Sequence, residues 1–340
     1  MIDDSSIPSQ PATTRRQLIT RGAAAVCATF LPSVSRADKW PSKPIRFVCA
    51  QAPGASTDGT ARSFADYFST HLGVPVTVEN KPGGAGMIAA ETVARSAPDG
   101  YTFLVTLHSQ LAQAPVMLKK PPINPDTDLT PIGKISTGRG IMVGRKDLPG
   151  KSFLDIVESA KTKPISVGNY SIGSGWHLLM SEVGRQTGAK FDIVNYRGTG
   201  LMLPDLVGGS IDIGAGSFAG FAKVIEAGAV RPILIISEGK TPRYPDLQTW
   251  EDLGFKGEVF NALSECNMLL GPAKLPQPIV DRLSTLYLEA VDKSARVKAL
   301  RHTLIADDKP LVGKELRDYI DRSWPLYRKM SRELGLSGML

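Results

Sequence analysis

The chain is poor in the residues that most often carry out chemistry. Of its 340 residues only four are His and three are Cys. His71, His108, His177 and His302 stand far apart with no HxxxH spacing, and the Cys do not cluster, so no set of metal ligands is formed. Long apolar runs are missing as well: no stretch of the mature chain reaches the roughly 18 uninterrupted apolar residues that a membrane span needs. Arginine-rich runs and aromatic–basic stripes are absent, which excludes nucleic acid from the expected partners. No Ser stands in a GxSxG elbow, because Ser174 in Gly173-Ser174-Gly175 has its flanking glycines one place too close. The acidic residues surround no nucleophile. These absences point to binding rather than catalysis, and no cofactor is expected.

What is present begins with the pattern of an export signal. Thr14-Arg15-Arg16-Gln17-Leu18-Ile19 pairs two arginines with apolar residues, a weakly apolar run covers residues 22–34, and Ser35-Arg36-Ala37 forms a small-residue cleavage site before Asp38. The twin-arginine route is the first reading and Sec passage of the same peptide the second; Val26 before Cys27 is too bulky for lipid attachment. Removing residues 1–37 takes away four Arg and two Asp and lowers the formal charge from +7 to +5. That mildly basic balance favours anionic ligands. Cys49 and Cys266 remain. An oxidising compartment would permit them to pair, but both lie in strongly apolar segments and read as lone buried thiols.

From residue 43 onward short apolar runs alternate with segments of helical period, the pattern of an α/β fold with mainly parallel strands. Strands are expected at residues 44–50, 74–78 and 101–107, with helices at 60–72 and up to about 94. A Pro-containing stretch at 119–131 breaks the alternation. A new series of βα units then runs from 141 to 236, and an apolar segment at 267–271 precedes a charged helical region at 276–334. We therefore expect two lobes, the first discontinuous (38–138 plus 265–340) and the second continuous (139–264), with crossings that act as hinges and a cleft lined by strand ends and helix starts. The string Gly84-Ala85-Gly86-Met87-Ile88-Ala89 fits GxGxxA, but the next strand ends in Leu107-His108-Ser109 with no acidic residue for a ribose, so it reads as a tight turn.

The recurring feature is a strand that runs into a short hydroxyl-rich loop opening a helix. Such loops present unpaired N–H groups and the positive end of the helix dipole, which suits an anion. They comprise Pro53, Gly54, Ala55, Ser56, Thr57 and Asp58; His108, Ser109 and Gln110; Ser171, Ile172, Gly173, Ser174 and Gly175; and Arg197 and Gly198 with the following Thr199 and Gly200. Ordinary helix capping asks for the same residue types, so the repetition in both lobes is the stronger signal. Asp58 reads as a helix cap, with Ser56 and Thr57 nearer the ligand. Two readings stand for Arg197, a bidentate carboxylate partner or a solvated loop cation, and two for Trp176, core packing or stacking on an aromatic ligand.

These residues resemble the tripartite tricarboxylate transporter receptors, the Bug family of periplasmic solute-binding proteins. The carriers are Trp40-Pro41-Ser42-Lys43-Pro44-Ile45-Arg46, Pro53-Gly54-Ala55-Ser56-Thr57-Asp58, Glu79-Asn80-Lys81-Pro82-Gly83-Gly84-Ala85-Gly86, Ala97-Pro98-Asp99-Gly100-Tyr101, Tyr196-Arg197-Gly198 and Asp205-Leu206-Val207-Gly208-Gly209-Ser210-Ile211-Asp212. The resemblance implies a two-lobed type II periplasmic-binding-protein fold with the ligand cleft between the lobes. It implies a small carboxylate, dicarboxylate or aromatic, held in the first lobe by residues 53–58 and 108–110 and closed upon by residues 171–175, Arg197, Gly198 and Ser217. It also implies a monomer in the periplasm that delivers the ligand to membrane permease subunits. A periplasmic sensor feeding a kinase shares the same residues, and an enzyme on the same fold is the remaining alternative. Two departures from the family stand out: Ala55 and Ser56 replace glycines of the first loop, and Gly216 stands where many members carry an acidic residue, which disfavours a ligand amine.

Overall fold

A computed structural model of the chain describes residues 40–136, 140–236, 240–241, 243–257, 259–260, 265–306 and 308–339. The expected export signal lies outside the described residues, as do residues 137–139 and 261–264, where the lobe crossings are expected.

The chain opens with β1 (Ile45–Cys49), α1 (Ser56–Leu72), β2 (Val76–Asn80), α2 (Met87–Ala94), β3 (Thr102–Leu107), α3 (His108–Met117), the short α4 (Pro125–Asp128) and β4 (Leu129–Ser136). A second series follows: β5 (Gly140–Arg145), α5 (Phe153–Thr162), β6 (Ile165–Asn169), α6 (Gly175–Thr187), β7 (Phe191–Asn195), α7 (Thr199–Val207), β8 (Ile213–Ser217), α8 (Phe218–Glu226), β9 (Val230–Ile235) and β10 (Gln248–Thr249). Last come β11 (Cys266–Pro272), α9 (Gln277–Lys293), α10 (Ala295–Leu304), β12 (Leu311–Val312) and α11 (Gly313–Glu333).

Two six-stranded sheets result, ordered β12-β4-β11-β3-β1-β2 and β10-β9-β5-β8-β6-β7. The orders are equivalent position by position. β11 and β5 each run antiparallel to both neighbours, and each is the strand by which the chain enters its sheet after leaving the other; the edges differ, since β12 pairs antiparallel with β4 and β10 parallel with β9. The two-lobed periplasmic-binding-protein fold is thus present, mixed rather than wholly parallel.

Burial explains the strand composition. In β1, Ile45, Phe47, Val48 and Cys49 are all buried, because a strand covered by helices on both faces needs an apolar run rather than an alternation. The edge strand β2 is only half-buried. Phe47 meets Phe68 and Phe103 edge-on at 5.8 and 6.2 Å, and Phe64 stacks on Tyr287 at 4.3 Å, joining α1 and α9 to the first sheet. In the second lobe Trp250 gathers Phe153, Phe255 and Phe260. Trp176 is 1% exposed and donates its indole N–H to the Gly168 carbonyl at 3.2 Å, so it is a core residue and offers no face to a ligand. Cys49 and Cys266 are free and buried. They sit on β1 and β11 with β3 between them, which separates them by roughly two strand spacings of about 4.8 Å, too far for a disulfide.

The sequence reading breaks the first lobe at residues 119–131, yet β4 begins at Leu129 inside that stretch and pairs fully with β11. Pro131 hides it. Lacking an N–H, a proline fits a paired strand only beside an irregularity, and the β4–β11 register shifts there, between Leu269 and Leu270. Pro232 of β9, the equivalent strand, lies at a matching shift between Met142 and Val143. Residues 108–110, expected as a loop, are instead the first turn of α3.

His108 is the first residue of α3, and its ring turns away from the strand ends into α11, fully buried. Its Nε2 is 2.9 Å from Ser323 Oγ, whose own proton goes to the Tyr319 carbonyl. Nε2 must therefore carry the proton, leaving Nδ1 bare and without a hydrogen bond. Burial, aided by the Lys134 charge, pushes the pKa down from 6.5 to about 3. His108 is thus a core residue, which corrects its expected place among the ligand contacts. A histidine with a depressed native pKa contributes stability above its unfolded pKa that is lost as pH falls through 6.5 toward 3. Between pH 7 and 4.5 denaturant titrations should show the native chain losing roughly 2–3 kcal/mol more than His108→Gln, which keeps a donor but does not titrate. Equal slopes for the two proteins would refute this.

Candidate ligand-binding cleft

The loops that follow the strands of the two sheets meet in two separate contacts. The first joins residues 52–58 to 197–198. The Ala52 N–H donates to the Arg197 carbonyl at 3.3 Å, and a Cβ added to Gly198 would lie 3.2 Å from that of Ala55. With φ at +136°, position 198 has both a backbone and a contact that favour glycine. The Arg197 side chain is exposed, and Tyr196 beside it donates its hydroxyl to Asp205 at 2.6 Å, which ties two of the family-like motifs into one hydrogen bond.

On the first-lobe side α1 begins uncapped: Ala55 is its N-cap and supplies no acceptor, so the first-turn N–H groups are left to other partners. Pro53 and Gly54 are exposed and Ser56 is half-buried. The hydroxyls of Ser56 and Thr57 make no hydrogen bond within the described residues. Asp58 is fully committed elsewhere. Its carboxylate accepts the Gly54 N–H at 3.0 Å, Arg62 Nε at 3.0 Å and Asn80 Nδ2 at 2.8 Å. Burial works to raise its pKa, but Arg62, the Gly54 N–H and Asn80 outweigh it and the net shift is downward. Asp58 therefore braces the loop from the first turn and is not left to meet a ligand.

Ser217 ends β8 and is the N-cap of α8, half-buried and making no side-chain cap bond. A Cβ on the preceding Gly216 would meet Thr199 Oγ1 at 2.6 Å and the Phe221 ring at 3.2 Å. The space that an acidic side chain needs is filled by Thr199.

The second contact is a buried polar seam. Gln110 donates to Ser171 Oγ at 2.7 Å and accepts from Gln51 at 3.1 Å, and its amide also lies within 3.5 Å of the Ile172 carbonyl. Gln113 donates to the Gly173 carbonyl at 2.9 Å. Ser174 is wholly buried; its hydroxyl donates to Asn169 Oδ1 at 2.6 Å and caps the His177 N–H. The Gly175 N–H, at the start of α6, donates to Glu265 Oε1 at 2.6 Å. Burial pushes the Glu265 pKa up, while Ser109, the Gly175 N–H and Tyr170 favour the ionised form and oppose that shift. Tyr170 is itself pushed well up by burial and then by the Glu265 charge.

The four expected loops thus separate into two pairs. In the pair 53–58 with 197–198, hydroxyls, helix-start N–H groups and a guanidinium remain uncommitted, with Ser217 also uncapped. In the pair 108–110 with 171–175, Gln110 meets Ser171 and Ile172, Gln113 meets Gly173 and Glu265 meets Gly175 across the lobes, while Ser174 is committed within its own lobe and Ser109 is buried beside them. Gln51, Gln113 and Glu265 escape the sequence reading. The one signal for Glu265 is an acid directly before the very apolar strand β11.

Residues 60–311 match the family described as the tripartite tricarboxylate transporter family receptor. The chain belongs to this family, the Bug receptors. A UPF0065 protein of Bordetella pertussis is 27% identical over 317 residues, covering 92% of this chain and 97% of its own length. The solved periplasmic binding protein BugD is 27% identical with a TM-score of 0.79, covering 88% of this chain and all but 1% of its own length (99%). An R. palustris protein solved with adipate is 25% identical with a TM-score of 0.80, over 88% of this chain and 99% of its own. BugD is a periplasmic binding protein, and the chain shares the fold of the two solved proteins over 88% of its length.

The partition of the receptor's loops predicts different consequences for two hydroxyls. Ser174→Ala should cost about 1–2 kcal/mol in unfolding free energy, since it removes a helix cap and a buried hydrogen bond. Thr57→Val removes a hydroxyl that makes no hydrogen bond within the described residues, and should change stability by less than about 1 kcal/mol. A comparable loss for both variants in urea titration would contradict the partition.

Proposed function

We propose that the protein is a periplasmic receptor that captures a small carboxylate by closing its lobes and delivers it to the membrane subunits of a tripartite tricarboxylate-type transporter. The observation that carries this reading is the uncapped start of α1, whose preceding loop meets the backbone of the exposed Arg197. The N–H groups of residues 56–58, the Ser56 and Thr57 hydroxyls and the Arg197 guanidinium are all donors, and donors gathered at a helix start with no protein acceptor suit one carboxylate. Ser217 adds a hydroxyl from the second lobe. Because these groups come from both lobes, binding favours the closed arrangement over the open one by contacts available only when the lobes meet.

Family membership supports delivery to a transporter, and the adipate held by one structural neighbour supports a carboxylate ligand. Asp58 supports the site from behind by holding the loop, and Gly216 with Thr199 keeps an acidic group away from the second-lobe end, so an amine has no partner there. The ligand is bound and released unchanged.

A thermal-shift screen of the mature chain against carboxylates, amines and sugars should find that only carboxylates raise the melting temperature, because a ligand that binds the native state alone stabilises it by mass action. For a hit, Thr57→Val should weaken binding by roughly tenfold or more, the value of a hydrogen bond to a charged group. Stabilisation by amines or sugars, with carboxylates inert, would overturn the reading.

A further inference from the structure

Glu265 belongs to neither the expected site nor any family-like motif of this sequence, yet its carboxylate lies where a ligand carboxylate is expected. It accepts the first N–H of α6 at 2.6 Å, with Tyr170 and Ser109 close enough to act on its titration. An internal carboxylate therefore occupies the start of α6, one of the four helix-opening segments that look, by composition, like anion sites. The α6 helix runs for 13 residues, long enough for its dipole to favour a negative charge at this end, and that charge is already supplied by the protein.

We infer that Glu265 sets the charge selectivity of the receptor: it fills the anion-binding start of α6 with the protein's own carboxylate, so the end of the ligand that reaches this part of the cleft carries no negative charge. This inference rests on the carboxylate-receptor reading above. Arg197 does not restore a second anion site, because its backbone is tied to Ala52 and its neighbour Gly198 abuts Ala55. Its backbone meets the loop that opens α1, and we assign the two to a single carboxylate. A second ligand carboxylate directed toward residues 170–175 would meet Glu265, a like charge in a buried setting where repulsion is weakly screened. The ligand class narrows accordingly to monocarboxylates, aliphatic or aromatic, whose far end is neutral or donates hydrogen bonds. The protein then differs from its adipate-bound neighbour, since adipate carries two carboxylates.

The test pairs acids of one skeleton, hexanoate with adipate and benzoate with terephthalate, and measures each by calorimetry on the mature chain and on Glu265→Gln, which keeps an acceptor for the Gly175 N–H but no charge. The native chain should prefer the monocarboxylate of at least one pair by tenfold or more. Glu265→Gln should reduce that preference at least fivefold, mainly by tighter dicarboxylate binding, while Tyr170→Phe, which alters the same network but keeps the charge, should leave the ratio within threefold. Equal affinity of the native chain for both members of every pair overturns the inference, and this measurement stands even if Glu265→Gln does not fold. An unchanged ratio in a folded Glu265→Gln overturns it too. Binding of no carboxylate by any of the proteins removes the receptor reading as well, an outcome distinct from binding without charge preference.

Discussion

The arrangement of the two lobes depends on a buried polar seam. Gln51, Gln110 and Gln113 carry amides into an interior where an unpaired donor costs about 1–3 kcal/mol, and their acceptors, Ser171 Oγ and the Gly173 carbonyl, belong to the other lobe. Apolar packing alone would hold the lobes together without specifying how they meet. Directional hydrogen bonds fix that geometry, and the other contact between the lobes, Ala52 with Arg197 and Ala55 with Gly198, goes with it. The loop before the uncapped start of α1 meets the Arg197 backbone at 3.3 Å beside this seam.

The seam also explains why similar loops take different roles. Four segments offer the same chemistry of small residues, hydroxyls and helix-start N–H groups. Two are answered from within by Glu265, Asn169 and the glutamines, whereas α1 starts on Ala55, which has no acceptor of its own. A helix start in a protein must find an acceptor somewhere, and the source of that acceptor separates a structural loop from a ligand loop. Asp58 illustrates the boundary: it is acidic and lies in the α1 loop, but Arg62, Asn80 and the Gly54 N–H occupy its oxygens.

The α/β character and the first and second βα series were legible because strands buried on both faces read as apolar runs and the helices between them keep their period. β4 was not, since Pro131 signals a break and only the register shift opposite it shows how the strand accommodates the ring. The loops were legible as candidates but not in their division, because composition is blind to where a hydroxyl's proton goes. Ser174 and Thr57 look alike in sequence, and it takes Asn169 at 2.6 Å to make the first a cap. His108 next to Ser109 and Gln110 reads as part of a polar loop, whereas the helical turn that begins there carries its ring to the opposite side, against Ser323. Glu265 lies 90 residues from its Gly175 partner, a separation at which local pattern carries no information.

In the proposed receptor the ligand carboxylate belongs at the start of α1, while the start of α6 is held by the protein's own acid. A crystal structure of the mature chain with a monocarboxylate tests it most directly. Density for the carboxylate is expected against residues 56–58 and Arg197, with Glu265 still on the Gly175 N–H. A ligand carboxylate on Gly175 with Glu265 displaced would contradict it.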